Sequence, residues 1–226
     1  MNKKNLSDER KRIEFIKRYE YQAQREGYQY IAGIDEVGRG CIAGPVVAAA
    51  VILPFDSFIP EVDDSKKLSP KKRVKLAGQI KEEAVSWAAA SVFPPFLDRI
   101  NILNATKVAM GLAIKQLSPL PDYLLIDAVK LNDINIKQNS LVKGDSLSIS
   151  IACASIIAKV ERDKSMEAFA GIYPAYGFAR HKGYATRAHI EALFKEGVCP
   201  IHRESFEPVK SMLTGGRYGE QSSLFE

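Results

Sequence analysis

Residues 30–53 read YIAGIDEVGRGCIAGPVVAAAVIL, and the way this stretch is parsed decides the fold. Its first part, 30–35, is a short apolar run that ends in an acid. Its last part, 45–53, is continuously apolar, which is how a strand buried on both faces reads. The segment between them is too short for a crossover helix, so an antiparallel pair is expected. The first run ends in two adjacent acids, Asp35 and Glu36, and Gly38-Arg39-Gly40 follows in the connection. Side chains alternate along a strand, so neighbouring acids can share a site only if the strand ends there. The first strand is therefore expected to stop at its acids.

Outward from this pair the pattern is α/β. Residues 7–26 place Ile13, Ile16, Tyr19 and Ala23 at helical spacing and predict a helix. Ser69 and Pro70 read as the cap and first residue of the next one. "SWAAASVF" (86–93) predicts a third strand, and a helix follows over 100–117. "DYLLIDA" (122–128) is a buried strand ending in Asp127. "INIKQNSLV" (134–142) alternates and delivers the chain to Asp145. The following run begins with period 2 and then loses it; one helix from Ser148 to Ala170 accounts for it better than a strand and a stub. Within it Ser150, Ala154 and Ala158 form a small-residue stripe suited to close packing on a sheet. Thr186 caps a helix that runs to Lys195 and stops at Gly197. The five strands with intervening helices predict an α/β mixed sheet. Residues 1–28 read as an N-terminal helical extension, 29–213 as the main domain with its helical C-terminal region, and 214–226 as a loose tail.

Lys and Arg exceed Asp and Glu by five, and the pI is near 9.0. That excess suits a polyanion-binding protein without specifying one. Three widely separated cysteines give neither a disulfide framework nor a zinc pattern, and point to a reducing compartment, the cytoplasm. The opening "MNKKNLSDERKR" has no apolar signal region. The most apolar run, 41–55, is interrupted by Pro45 and Pro54 and falls short of the roughly 20 residues that cross a bilayer.

Asp35 and Glu36 end one strand, Asp127 ends a second and Asp145 follows a third. Carboxyl ends of strands are the usual site in α/β sheets. Carboxylates converging there repel one another unless cations sit among them. A hard divalent ion with oxygen ligands meets that need, and two such ions about 4 Å apart can activate water and stabilise a leaving phosphodiester oxygen. Taken singly, Asp145 reads equally as a helix cap and Asp127 as a turn residue; the set of four carries the signal. The glycines are not a dinucleotide fingerprint, because a strand follows them rather than a helix. They allow close backbone approach to a ligand.

The whole opening stretch resembles the first motif of ribonuclease HII. The likeness continues through "DDSKKLS" (63–69), "LLIDA" (124–128), "KGDSLSISIACASIIAKVERD" (143–163), "YPAYGFARHKGYAT" (173–186) and "GVCPIHRESFEPV" (197–209). The sister family, ribonuclease HIII, differs at the first motif and lacks this Gly-Arg-Gly. The resemblance implies a ribonuclease H-like fold: a mixed five-stranded sheet flanked by helices. It implies hydrolysis of the RNA strand of RNA·DNA hybrids with Mg²⁺ or Mn²⁺, two ions with substrate bound. It also implies incision 5′ of single ribonucleotides embedded in duplex DNA, leaving 5′-phosphate and 3′-hydroxyl ends. By the same resemblance, Asp35, Glu36, Asp127 and Asp145 hold metal. The backbone of Gly38, Arg39 and Gly40 contacts the ribose 2′-OH, which separates RNA from DNA. Ser65 and Lys66 fall in a phosphate-contacting motif, and Tyr184 on the tyrosine that packs against the sugar beyond the ribonucleotide. Position 41, often proline in the family, is Cys here, with little expected consequence because the backbone makes the contact.

His181 and His202 sit in basic turns and suit phosphate or structural hydrogen bonding; no histidine is needed as a nucleophile. Asp163 lies deep in the long helix and reads as structural, and Trp87 as core. Phe178 and Tyr184 are better stacking candidates. Two rivals are a non-catalytic nucleic-acid-binding module, disfavoured by the full set of acids, and a junction resolvase, which has no use for 2′-OH readout. In the tail, Gln221, Leu224 and Phe225 resemble the short peptide by which bacterial replication proteins dock on the sliding clamp; folding back onto the domain is the alternative. A monomer that acts on nucleic acid away from membranes is expected.

Overall fold

A computed structural model describes residues 3–215 of the chain, so Gln221, Leu224 and Phe225 lie outside the described residues. The elements in order are α1 (Lys3–Ile16), α2 (Arg18–Arg25), β1 (Ile31–Val37), β2 (Val46–Ile52), α3 (Pro70–Glu83), β3 (Ser86–Val92), α4 (Phe96–Lys115), β4 (Tyr123–Asp127), β5 (Lys137–Leu141), α5 (Ile149–Ile172), α6 (Phe178–His181), α7 (Arg187–Glu196) and α8 (Val209–Leu213). The described residues form two compact units: 3–37, 47–91 and 106–161, and 38–46, 92–105 and 162–215.

The first unit is built on one sheet of order β3-β2-β1-β4-β5. β1 pairs antiparallel with β2 and parallel with β4, and β4 pairs parallel with β5. Every residue of β2 is buried, as its unbroken apolar sequence requires. Ile13, Ile16, Val51, Ile80, Ile156 and Ile157 share one core cluster, so the N-terminal helix, the sheet, α3 and α5 bury their apolar faces together. α5 lies close against β1 because Gly33 has no side chain: a Cβ there would come within 2.1 Å of the Ser150 carbonyl carbon. The expected small-residue stripe thus has its counterpart on the strand. Ser69 caps α3, its hydroxyl accepting from the Lys72 amide at 3.3 Å.

Three boundaries differ from expectation. The helix over 7–26 is two helices that break at Lys17, whose ammonium turns inward and donates to the carbonyls of Phe55, at 2.9 Å, and Ser57. α4 begins earlier, at Phe96, and kinks at Asn101 (φ 65°), whose side chain accepts from the Asn104 amide and restarts the helix. β1 does not end at its acids but continues to Val37, so Asp35 and Glu36 lie within the strand, opposite Ala49 and Ala48 of β2.

In the second unit, α7 is capped by Thr186 and ends at Gly197. Its core joins Ala43, Met166, Tyr176, Phe178, Cys199 and Ile201.

Candidate active site

All four acids belong to the first unit. The parallel register of β1 and β4 runs to Ile34 opposite Ile126. Asp35 and Asp127 are the next residue on each strand, so the sheet itself brings them level. Past β5 the chain turns through Lys143, in the left-handed region (φ 58°), into a 3₁₀ turn, Gly144–Ser146, that carries Asp145. The Gly144 amide donates to Asp127 Oδ1 at 2.7 Å, which ties this turn to the end of β4.

Asp35 is buried, with 5 % of its surface exposed. Its Oδ1 accepts from the Glu36 amide at 2.7 Å, and it also hydrogen-bonds the Ser155 hydroxyl on α5. Burial, then the charges of Glu36 and Asp127, hold its carboxyl well above the usual carboxylate range. Asp145 is raised as well, first by burial and then by Asp64 and Asp127, with Lys66 opposing. The acids therefore sense one another in sequence, Glu36–Asp35–Asp127–Asp145. The 63–69 segment comes to the same place, with Lys66 and Asp64 acting on Asp145. Ser65 is buried beneath it, 3.0 Å from Ser155 Oγ, and its carbonyl accepts from Arg73 Nη1 at 2.7 Å.

Among the described residues, no three His, Cys, Asp or Glu side chains are gathered as a ready-made metal cage. The fit to a hard divalent cation rests on the donor set. It is all carboxylate oxygen and partly buried, and Asp35 and Asp145 are raised, first by burial and then by neighbouring acids, a combination that a cation relieves.

The Gly-Arg-Gly turn and Tyr184 belong to the second unit, where two buried arginines organise them. Arg203 Nη2 donates to the Gly38 carbonyl at 2.6 Å, Nη1 to Arg39 at 2.8 Å and Nε to Gly44 at 3.0 Å. Arg162 donates to the carbonyls of Pro45, Lys182 and Ala43 at 3.0, 2.8 and 3.2 Å. Both guanidiniums are fully buried. The amides of Ile42 and Ala43 donate to the Gly183 carbonyl at 3.0 and 3.3 Å, binding the turn to the Tyr184 loop. Burial, then Cys41, raises the Tyr184 hydroxyl, and the Cys41 side chain hydrogen-bonds it. The Cys41 side chain thus touches Tyr184, a contact that the sequence reading did not include.

The two glycines of the turn differ. Gly38 is required by the fold: its φ is +90°, and a Cβ would lie 2.1 Å from Arg162 Nε. Gly40 is not: it is exposed, with nothing within 4 Å of where a Cβ would stand. The absence of a side chain there leaves open space in front of the backbone.

Arg162, Arg203 and Ser155 escaped the sequence reading. Arg203 lies in a basic turn, which reads as a phosphate contact; Arg162 lies inside α5 with nothing local to mark it; and a serine among small helix residues reads as packing. Asp163 belongs to the second unit. Phe178 is fully buried and so has no face to offer a base.

A ribonuclease HII family model matches residues 32–209. The ribonuclease HII of Syntrophomonas wolfei is 66% identical over 223 residues, which cover 99% of this chain and 88% of that protein. Among solved structures, ribonuclease H2 of Pyrococcus horikoshii superposes with a TM-score of 0.72 at 23% identity, covering 84% of this chain and 100% of the other, a likeness of fold. The ribonuclease HII of Archaeoglobus fulgidus, solved in complex with PCNA, gives 0.66 at 28% identity, covering 79% and 96%.

Proposed function

The chain belongs to the ribonuclease HII family and is a metal-dependent endonuclease that hydrolyses RNA in RNA·DNA hybrids; we propose that it also incises 5′ of single ribonucleotides embedded in duplex DNA and leaves 5′-phosphate and 3′-hydroxyl ends. The observation that carries this is the run of like charges from Glu36 through Asp35 and Asp127 to Asp145, with Asp35 held well above the carboxylate range by burial and its neighbours. In this proposal these four residues hold Mg²⁺ or Mn²⁺, two ions with substrate bound. When bound there, the metal would supply activation of a water and stabilisation of the leaving oxygen.

The remaining work belongs to the chain. Ser155 fixes the orientation of Asp35, and the Gly144 amide fixes Asp127. Ser65 and Lys66 meet a substrate phosphate, the cation beside Asp145 offsetting the repulsion between carboxylates and phosphodiester. Gly38, Arg39 and Gly40 present their backbone to the ribose 2′-OH, an assignment supported by the open space at Gly40. Tyr184 packs on the adjoining deoxyribose. The test is a DNA duplex with one ribonucleotide, incubated with and without Mg²⁺ and its product ends mapped. One metal-dependent cut 5′ of the ribonucleotide is expected; a cut on its 3′ side, or cleavage of all-DNA duplex, would overturn the proposal.

The catalytic domain spans 29–213 in this reading, between a helical extension, 1–28, and a tail, 214–226, and the protein acts as a cytoplasmic monomer. Three free, buried cysteines suit a reducing compartment, and among the described residues no helix is long and apolar enough to cross a membrane. We propose a second contact, with a sliding clamp, through Gln221, Leu224 and Phe225. The neighbour solved with PCNA supports it. Deleting 221–226 should abolish clamp binding in a direct titration and leave hydrolysis of a short oligonucleotide unchanged. A full-length protein that ignores the clamp ends the idea.

A further inference from the structure

Behind Tyr184, three imidazoles form one ordered cluster within the second unit. His189, on α7, is fully buried, and His202 is 2 % exposed. Their neighbours leave one neutral assignment. His189 Nδ1 lies 2.8 Å from the Tyr184 carbonyl oxygen. A carbonyl only accepts, so this nitrogen carries the proton. His189 Nε2 is then a bare acceptor, and His202 Nε2, 3.1 Å away, must donate to it. His202 Nδ1 is left unprotonated and accepts from the Cys199 amide at 3.0 Å; the Cys199 carbonyl, 3.3 Å from the same nitrogen, already accepts from the His202 amide at 2.9 Å. The Cys199 thiol, 3.1 Å from the same nitrogen, can serve as a second donor. The direction of each bond is set by the next, from an amide N–H at one end to the Tyr184 carbonyl at the other.

That carbonyl also accepts from the Thr186 amide at 2.8 Å, so the imidazole joins the tyrosine's main chain to the capped start of α7. His181 stacks on His189 with ring centroids 4.2 Å apart. It is fixed in turn by the Tyr176 carbonyl, 2.7 Å from Nε2, and by the Gly183 amide, which donates to Nδ1 at 3.2 Å. Burial pushes His189 and His202 down to about 4, which keeps both rings neutral at physiological pH.

We propose that His189 and His202 are positioning residues for substrate recognition: as a tautomer-locked pair they hold the main chain of Tyr184, and through it the ring that meets the sugar. This rests on the assignment of Tyr184 to the deoxyribose beyond the ribonucleotide. The pair acts on where Tyr184 stands and touches no reacting atom.

Long-range ¹⁵N–¹H correlation spectra of the wild-type protein at neutral pH test the lock directly. His189 should appear as the Nδ1–H tautomer and His202 as the Nε2–H tautomer. The reverse tautomer in either ring, or a protonated ring, overturns the proposal. The functional readout is kcat/KM on a duplex with one ribonucleotide divided by that on a long hybrid. Tyr184→Ala and His189→Ala should each lower this ratio about tenfold. His189→Asn, whose amide N–H can stand where Nδ1–H stood, should restore it. His202→Gln, which keeps a donor toward His189, should resemble wild type, and His202→Met should not. If Tyr184→Ala leaves the ratio unchanged, the assignment of Tyr184 falls and the inference falls with it. If Tyr184→Ala lowers it and both His189→Ala and His202→Met do not, the inference alone falls.

Discussion

Asp35 carries its charge where burial, Glu36 and Asp127 all disfavour it. A carboxyl whose folded-state pKa is raised weakens the metal-free fold when ionised. Asp35→Asn should therefore leave the melting temperature in EDTA unchanged or higher, while cleavage with Mg²⁺ drops at least about 100-fold through lost metal and a misplaced water. Asp145→Asn, also at a raised carboxyl, should behave alike. Near-wild-type turnover by either variant would strike that residue from the catalytic set. Ser155 orients Asp35 without meeting metal or substrate. Ser155→Ala should cost about 10- to 100-fold in metal affinity or activity, seen as a rightward shift of the Mg²⁺ titration; an unshifted curve would reduce Ser155 to packing. The acids were legible because four of them fall at or just past strands, a coincidence that packing alone does not ask for. Ser155 was not, because its sequence surroundings, "ACASIIA", are those of a buried helix face.

The turn at 38–46 is an element held by side chains rather than by its own hydrogen bonds. One Arg203 guanidinium serves three carbonyls. A lysine brings a single ammonium to the same space and cannot reproduce the planar fork. At about 1–3 kcal/mol for each buried carbonyl left without a donor, Arg203→Lys should destabilise the protein by roughly 2 kcal/mol or more. A denaturant midpoint within error of wild type would show that water replaces the fork at no cost. This element was half legible. Glycines signalled a tight turn, but the arginines that shape it lie more than a hundred residues downstream, and no local pattern links them. The same limit explains α1 and α2: helical spacing runs unbroken through Lys17, and only its distant partners, the carbonyls of Phe55 and Ser57, show why the chain breaks there. Pairings between neighbours in sequence, such as β1 with β2 or Ser69 with Lys72, were read correctly because short connections and caps are local chemistry.

For the molecule as a whole, pH acts through several buried groups of opposite sign. His189 and His202 sit at about 4 when folded, because burial disfavours the imidazolium, and near 6.5 when unfolded. Between those values the unfolded chain binds more protons, so this contribution is complete above about pH 6.5 and is lost as pH falls toward 4. Glu20, fully buried against the start of α5 and raised by desolvation, works in the other direction, since its ionisation weakens the fold as pH rises. A difference measurement separates them. The melting temperature of wild type relative to His189→Asn should decline as pH drops from 6.5 to 4.5, with Glu20 cancelling between the two proteins. Parallel curves would mean that the imidazoles do not titrate in this window. The α/β class with its mixed sheet followed from strand lengths and apolar runs, but the strand order did not. The cluster of imidazoles did not, because its members are spread over residues 181–202 on a helix and in turns that only the folded chain brings face to face.

A trans peptide cannot point its oxygen one way without sending its hydrogen the other. The two peptides that follow Gly38 and Arg39 are trans, and Arg203 draws both of their oxygens inward. Their hydrogens, carried by Arg39 and Gly40, are thereby turned outward at two exposed residues. In the proposed contact with the sugar, the Gly40 end of the turn would then meet it with a proton rather than with a lone pair. A 2′ substituent is then judged by its lone pairs, and a 2′-fluoro nucleotide, which has lone pairs and no proton to offer, should compete for this surface where a 2′-deoxy nucleotide does not.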